Sequence, residues 1–189
     1  VYLKKRSTST CSTLLYGSQF NAGGDNQVAT WNFDSGVASF TNGATGSMTP
    51  VVDGWFRCVM LTTATTTNAS SLNQWIRLVG NSGDVYLWGA QLEQSSTVGE
   101  YIPTTSTINS APRFDHNPTT GESLGLLVEE QRTNLLLRSE EFDNASWSKN
   151  YNPTITVNQI TAPDGRLSAD QMVGSGSAIG YLEQATAIV

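Results

Sequence analysis

Charge is scarce in this chain: Asp, Glu, Lys and Arg together make up 14% of its 189 residues. The ten basic residues are scattered apart from Lys4-Lys5-Arg6, and the formal net charge is −6. No basic stripe of the kind phosphate backbones require is present, so nucleic acid is excluded as an expected partner. Cysteine is limited to Cys11 and Cys58, too few for a disulfide framework, and histidine to His116, so no zinc-ligand spacing exists. The thiols are expected to be free and buried, with no metal and no cofactor. No apolar run approaches the ~20 residues a membrane span needs, and no membrane insertion is expected. The opening Val1-Tyr2-Leu3-Lys4-Lys5-Arg6 places apolar residues before basic ones, the reverse of a signal peptide.

What is abundant is Ser, Thr, Asn and Gly, with 38% hydrophobic residues, a balance that suits short strands joined by hydrogen-bonding turns. An all-β fold follows as the first expectation. Residues 1–105 read as successive strands, beginning with the alternation of Val1 and Leu3 against Tyr2, Lys4 and Arg6. Thr13–Tyr16, Val28–Phe33 and Val37–Phe40 continue the series, with Trp31 and Phe33 on one face. Asp53-Gly54 marks a turn before Trp55–Leu61, a run apolar on both faces and therefore a strand covered on each side. Gln74–Val79 and Asp84–Leu92, joined by Gly80-Asn81-Ser82-Gly83, read as a hairpin. The expected core of this antiparallel sandwich is Trp55, Phe56, Cys58, Met60, Ile76, Leu78, Leu87 and Trp88, with Trp75 inside it as well.

The composition changes after Tyr101-Ile102-Pro103. Residues 106–133 read as a Thr-, Ser- and Pro-rich linker followed by a hairpin connector built from Arg113-Phe114-Asp115 and Leu124–Val128. Glu129–Arg138 reads either as a short helix, with Glu129 and Arg132 paired, or as extended chain. Residues 134–189 then open a further module: Ser139-Glu140-Glu141-Phe142 resembles an N-cap, Thr154–Val157 a strand, and Ala162-Pro163-Asp164-Gly165 a turn.

Three stretches resemble a known family. Gly54-Trp55-Phe56-Arg57-Cys58 and Val85–Glu93, followed by Tyr101-Ile102-Pro103-Thr104, are similar to the closing strands of jelly-roll modules in tailed-bacteriophage structural proteins. Arg113–Leu136 resembles the connector that follows such a module, and Asn134–Trp147 resembles the opening of the next, and more distantly the opening of carbohydrate-binding sandwiches. The resemblance implies an antiparallel jelly-roll β-sandwich. Residues 1–105 would be its C-terminal part and 134–189 the N-terminal part of a second module, a window on a longer tandem array. The alternative is that the halves complete each other, within one chain or between neighbours. The function implied is that of a non-enzymatic virion component, a fibre, spike or decoration that displays or spaces host-contacting modules. Its partners would be further copies of itself, as a trimer, other virion proteins and a host surface glycan. The second reading is a carbohydrate-binding module of a secreted bacterial polysaccharide-degrading enzyme.

Site expectations follow from residue type and position. Trp31, flanked by polar residues, and Tyr86, beside a polar turn, are the candidates for stacking on a sugar ring. Leu124, Leu126, Leu127, Val128, Leu135, Leu136 and Leu137 form an apolar stretch too short to bury itself, and are expected to pack at an interface with a neighbouring module or a symmetry-related chain. Glu129-Glu130 and Glu140-Glu141 are adjacent in sequence, so their side chains diverge and neither pair spans a cleft as glycoside hydrolysis requires. No Gly-x-Ser-x-Gly elbow occurs, and no catalytic residue is assigned. The resemblance implies Glu141, Asp143 and Asp164 as conceivable calcium ligands, without an EF-hand-like spacing to support them.

Overall fold

A computed structural model describes residues 1–17, 27–63, 72–78, 83–106, 114–116, 120, 122–126, 133–176 and 179–186. In chain order the strands are β1 (Tyr2–Lys5), β2 (Thr10–Tyr16), β3 (Gln27–Asn32), β4 (Val37–Thr41), β5 (Thr45–Pro50), β6 (Trp55–Leu61), β7 (Leu72–Leu78), β8 (Asp84–Trp88), β9 (Phe114–His116), β10 (Ser123–Leu126), β11 (Ser148–Asn150), β12 (Thr154–Thr161), β13 (Leu167–Val173) and β14 (Tyr181–Thr186). Among the described residues the helical content is one 3-10 turn, Val52–Gly54, and no helix is long and apolar enough to cross a membrane. The fold is all-β. Two six-stranded antiparallel sheets form a sandwich, ordered β12-β13-β8-β1-β6-β5 and β11-β14-β7-β2-β3-β4.

Period-two alternation explains which side chains enter the core. In β7 the burial alternates strictly, with Leu72, Gln74, Ile76 and Leu78 inside and Asn73, Trp75 and Arg77 outside. Leu3, Cys58, Val85, Leu87 and Met172 meet Cys11, Ala29, Trp31, Ile76, Leu78 and Leu182 between the sheets. Each large apolar side chain so buried contributes about 1.5–3 kcal/mol. A second cluster lies on the outer face of the first sheet, where Trp55 and Trp88 pack with Ala162 and Ala169 under the 161–166 turn. The Trp55 indole donates to the Thr161 carbonyl at 3.1 Å. The expected double-sided burial of β6 is thus met by two separate clusters. Gly89 (φ 61) lets the chain leave β8: a Cβ there would come within 3.2–3.3 Å of the Tyr2 and Tyr101 rings.

The 134–189 strands do not build a second sandwich. β13 pairs with β8 and β14 with β7, so the two halves complete one another's sheets within this chain. The 134–147 segment closes the end of the core with Leu136, Phe142 and Trp147, all essentially unexposed. Its anchor is Asn134: Oδ1 accepts the amides of Leu92 and Leu136, and Nδ2 donates to the carbonyls of Ala90 and Ile102. Gln184 of β14 brackets the backbone of Leu137 with bonds of 2.6 and 2.9 Å.

Four local expectations change in the folded chain. β7 and β8 are not a hairpin, because their neighbours are β2 and β14 for the one, β1 and β13 for the other, and the chain crosses between sheets. Residues 80–82 of the expected turn lie outside the described residues. Ser139–Phe142 starts no helix; it forms tight turns, and Ser139 is buried in a hydrogen-bonded knot with Tyr101 and Thr104. Leu136, expected to pack against a neighbouring module or another copy, is fully buried in the main core, where the sheets that cover it belong to its own chain. Trp75, expected in the core, stands on the outer face beside Arg77 because its register parity is opposite to that of Ile76. Of the other expected interface positions, Leu135 and Leu137 are half-buried, and Leu124 and Leu126 fall in the β10 backbone, which among the described residues pairs with β9. Leu127 and Val128, like Glu129 and Arg132, lie outside the described residues.

Candidate functional site

Of the two residues expected to stack on sugar, Trp31 has no free ring and Tyr86 is half-buried. Trp31 is fully buried, its indole donating to Thr13 Oγ1 at 3.2 Å and its ring meeting Phe40 edge-on at 5.8 Å. The polar neighbours that suggested a surface position are the outward half of β3, while Trp31 shares the inward half with Ala29. Tyr86 is half-buried on the outer face of the first sheet, with its hydroxyl accepting from Arg6 Nε at 3.1 Å and its ring against the Trp55–Trp88 cluster.

The exposed aromatic surface is elsewhere. On the outer face of the second sheet, Trp75 of β7 lies between Tyr16 of β2 and Tyr181 of β14, stacked at 5.8 and 4.6 Å with 22° between planes in both cases. Tyr151, just beyond β11, tilts against Tyr181 at 5.8 Å. The four rings thus form one row across the strands. Its ends are the open parts, Tyr16 at 43% and Tyr151 at 62% exposure. Rigid strands hold the row, since β2, β7 and β14 are consecutive neighbours in the sheet. Tyr151 and Asn152 both adopt positive φ (58° and 53°), which turns the chain sharply between β11 and β12 and holds the Tyr151 ring over the sheet.

Polar groups flank the row. Arg77 sits directly opposite Tyr181 and Glu183 directly opposite Trp75, so guanidinium and carboxylate are diagonal neighbours across β7 and β14. They do not pair: among the described residues no carboxylate meets Arg77, whose Nε is buried without a partner, as is Trp75 Nε1. Glu183 accepts from Asn150 Nδ2 at 2.9 Å. Partial burial, then Glu183, then Tyr151, raise the Tyr181 phenol above its ordinary range, so it stays neutral at physiological pH. The open rings at the two ends of the row, Tyr16 and Tyr151, beside a guanidinium and a carboxylate, are chemically suited to a polyhydroxylated ligand.

The remaining polar clusters are spent on structure. Arg166 bridges Asp164 and Glu140, and Glu140, raised by its own burial, also accepts from the Tyr101 hydroxyl at 3.1 Å. Arg138 takes Glu141. Among the described residues no three His, Cys, Asp or Glu side chains come together as a metal site. A cavity of about 120 Å³ between β6 and the 91–101 segment is well below the ~300–1,000 Å³ typical of a ligand pocket.

Sequence reasoning missed the row because Tyr16, Trp75, Tyr151 and Tyr181 are far apart in the chain and become neighbours only by strand pairing. The signal that was available is parity: in Leu72–Leu78, Trp75 shares its face with Asn73 and Arg77 rather than with the aliphatic residues. Comparison with protein-family models, curated proteins and solved structures finds no match to this chain.

Proposed function

We propose that the chain is a non-enzymatic contact module of a tailed-phage virion protein of fibre, spike or decoration type, a sandwich that presents the aromatic face of its second sheet to a host surface glycan. The observation that carries the reading is the row Tyr16–Trp75–Tyr181–Tyr151, an exposed aromatic surface mounted on paired strands rather than in a cleft. The family resemblance supports it in a second way. The motifs similar to closing strands occupy β6 and β8, and the motif similar to an opening, Asn134–Trp147, seals the same core. Read from β13 onward and continued at β1, the neighbour orders β13-β8-β1-β6 and β14-β7-β2-β3 follow the two Greek keys of a jelly roll, which supports a circularly permuted version of that topology.

Among the described residues the β9–β10 hairpin pairs with neither large sheet. A two-stranded hairpin alone is marginal in water, and a neighbouring copy in a trimer is the partner we propose for it. Such a protein is assembled in the host cytoplasm and exposed on the extracellular virion. Immunogold labelling with antiserum to the chain tests the assignment: decorated tails or heads on particles from the source culture are expected. Label confined to a secreted protein fraction, with bare particles, would overturn it in favour of a carbohydrate-binding module on a polysaccharide-degrading enzyme, which the same aromatic row also suits.

A further inference from the structure

Among the described residues the two large sheets end in the edge strands β12, β5, β11 and β4. A sheet edge presents unpaired backbone donors and acceptors that invite another strand, and three of these edges are blunted against it. β11 is three residues long and carries Lys149. β12 is interrupted by a register shift between Thr156 and Ile160, where Asn158 takes a positive φ of 54° and gives its amide to Asp170. β5 contains Gly46 and ends in Pro50, which has no amide to offer. β4 has none of these devices: Val37–Thr41 holds no charge, proline or glycine, and its register with β3 runs unbroken from Val37 to Thr41. We propose that β4 is the docking edge for a second copy of this chain, the two β4 strands pairing antiparallel about a two-fold axis at Ser39 so that their second sheets run on as one.

Charge and shape single out a copy of the chain as the occupant. The net charge is −6, so copies repel one another wherever that charge is displayed. Residues 35–52, which hold β4 and β5, contain no charged side chain, and Asp34 just before them is paired with Lys5. Two copies therefore meet at this edge without bringing like charges together. The strand is also self-complementary, because an axis at Ser39 is the one placement that engages all five residues of both strands. It sets Ala38 of one copy opposite Phe40 of the other, small against large, where both are partly buried against the core. On the other face it sets Val37, 61% exposed in the single chain, opposite Thr41, a β-branched pair. Five residues make a small contact, so the pairing is weak and concentration-dependent. This edge is separate from the β9–β10 hairpin, and the pairing stands without the trimer proposed there: with both contacts the assembly is a dimer of trimers, with this one alone a dimer.

Cross-linking of the full chain tests the register. Residues directly opposite in an antiparallel pair have Cα atoms ~4.5–5.5 Å apart, within what a disulfide spans. Ser39→Cys should therefore give a covalent dimer when oxidised glutathione is added in native buffer, whereas Ser47→Cys on the β5 edge, also exposed, should give little. Cys11 and Cys58 are buried and stay out of the reaction. In sedimentation the wild-type chain should move with rising concentration toward a dimer, or from trimer toward a dimer of trimers. Ser39→Lys, which sets two like charges face to face, should weaken that step by at least roughly tenfold while thermal unfolding stays unchanged. Equal cross-linking at both cysteine positions, or a dimer indifferent to Ser39→Lys, would overturn the β4 register. A mass that stays monomeric or trimeric at every concentration, with Ser39→Cys left unlinked, would overturn the docking edge altogether. None of these results depends on where immunogold places the protein, so this inference and the virion assignment fail separately.

Discussion

Replacing Asn134 with Ala should cost more than the small size of the change suggests. Its side-chain amide is fully buried and makes four hydrogen bonds, to the Leu92 and Leu136 amides at 3.1 Å and to the Ala90 and Ile102 carbonyls at 2.9 Å. These partners belong to three separate segments: the chain leaving β8, the 101–104 strap and the 134–147 segment that caps the core. At about 0.5–1.5 kcal/mol net per bond, four bonds come to about 2–6 kcal/mol, and the buried backbone groups left unpaired push the loss toward the upper end. That is a large share of the ~5–15 kcal/mol a domain of this kind holds in total. With a urea m-value of roughly 2 kcal/mol/M, a 4 kcal/mol loss moves the unfolding midpoint by about 2 M. Asn134→Asp should be at least as damaging, because a carboxylate oxygen would then face the Ala90 and Ile102 carbonyls. Urea unfolding followed by tryptophan fluorescence reports the midpoint, with Trp147 in the capping segment as a native reporter. A shift below about 0.3 M for Asn134→Ala would show that the three segments are held by apolar packing alone, and the reasoning would fail.

Leu136→Asp should unfold the sandwich outright rather than dissociate an oligomer, since it places an unpaired charge in the main core; a folded chain of lower sedimentation coefficient would contradict this. Burial pushes the Asp170 carboxyl up to about 6, with Asp143 and Glu141 adding to the effect against the amides of Asn158 and Phe142 that it accepts. A carboxyl raised in the folded state stabilises below its unfolded pKa and loses that contribution as pH rises through the folded value. The chain should therefore gain stability between pH about 6 and 4 from this group, and Asp170→Asn should flatten that rise in thermal unfolding; an unaltered pH profile would sink the assignment. Cys11 and Cys58 are free and buried, their thiols raised first of all by burial, Cys58 to about 12. Native protein should leave a thiol reagent unreacted until denaturant is added, and prompt labelling would contradict the burial.

The sequence by itself determined the class of fold, because scarce charge, abundant turn residues and strict alternation leave little besides antiparallel strands. Leu3, Ile76, Leu78 and Leu87 were legible as inward-facing from period two alone, and they are buried. Asp53-Gly54 was legible as a turn, and both residues adopt positive φ, 51° and 75°. The Ala162–Gly165 turn closes with the expected 3.0 Å backbone bond. What local pattern could not carry is which strand sits beside which, since pairing partners such as β8 and β13 or β7 and β14 are separated by eighty residues or more. That pairing joined two apparent half-modules into one sandwich and took Leu136 from a supposed interface into the core. It also sent Trp31 inward, although polar residues flank it, and Trp75 outward, although it lies in a strand with Ile76 and Leu78. The candidate site is of the same kind: Tyr16, Trp75, Tyr151 and Tyr181 come from four separate stretches of sequence, and only the hydrogen-bonded register of the second sheet stacks their rings into a row.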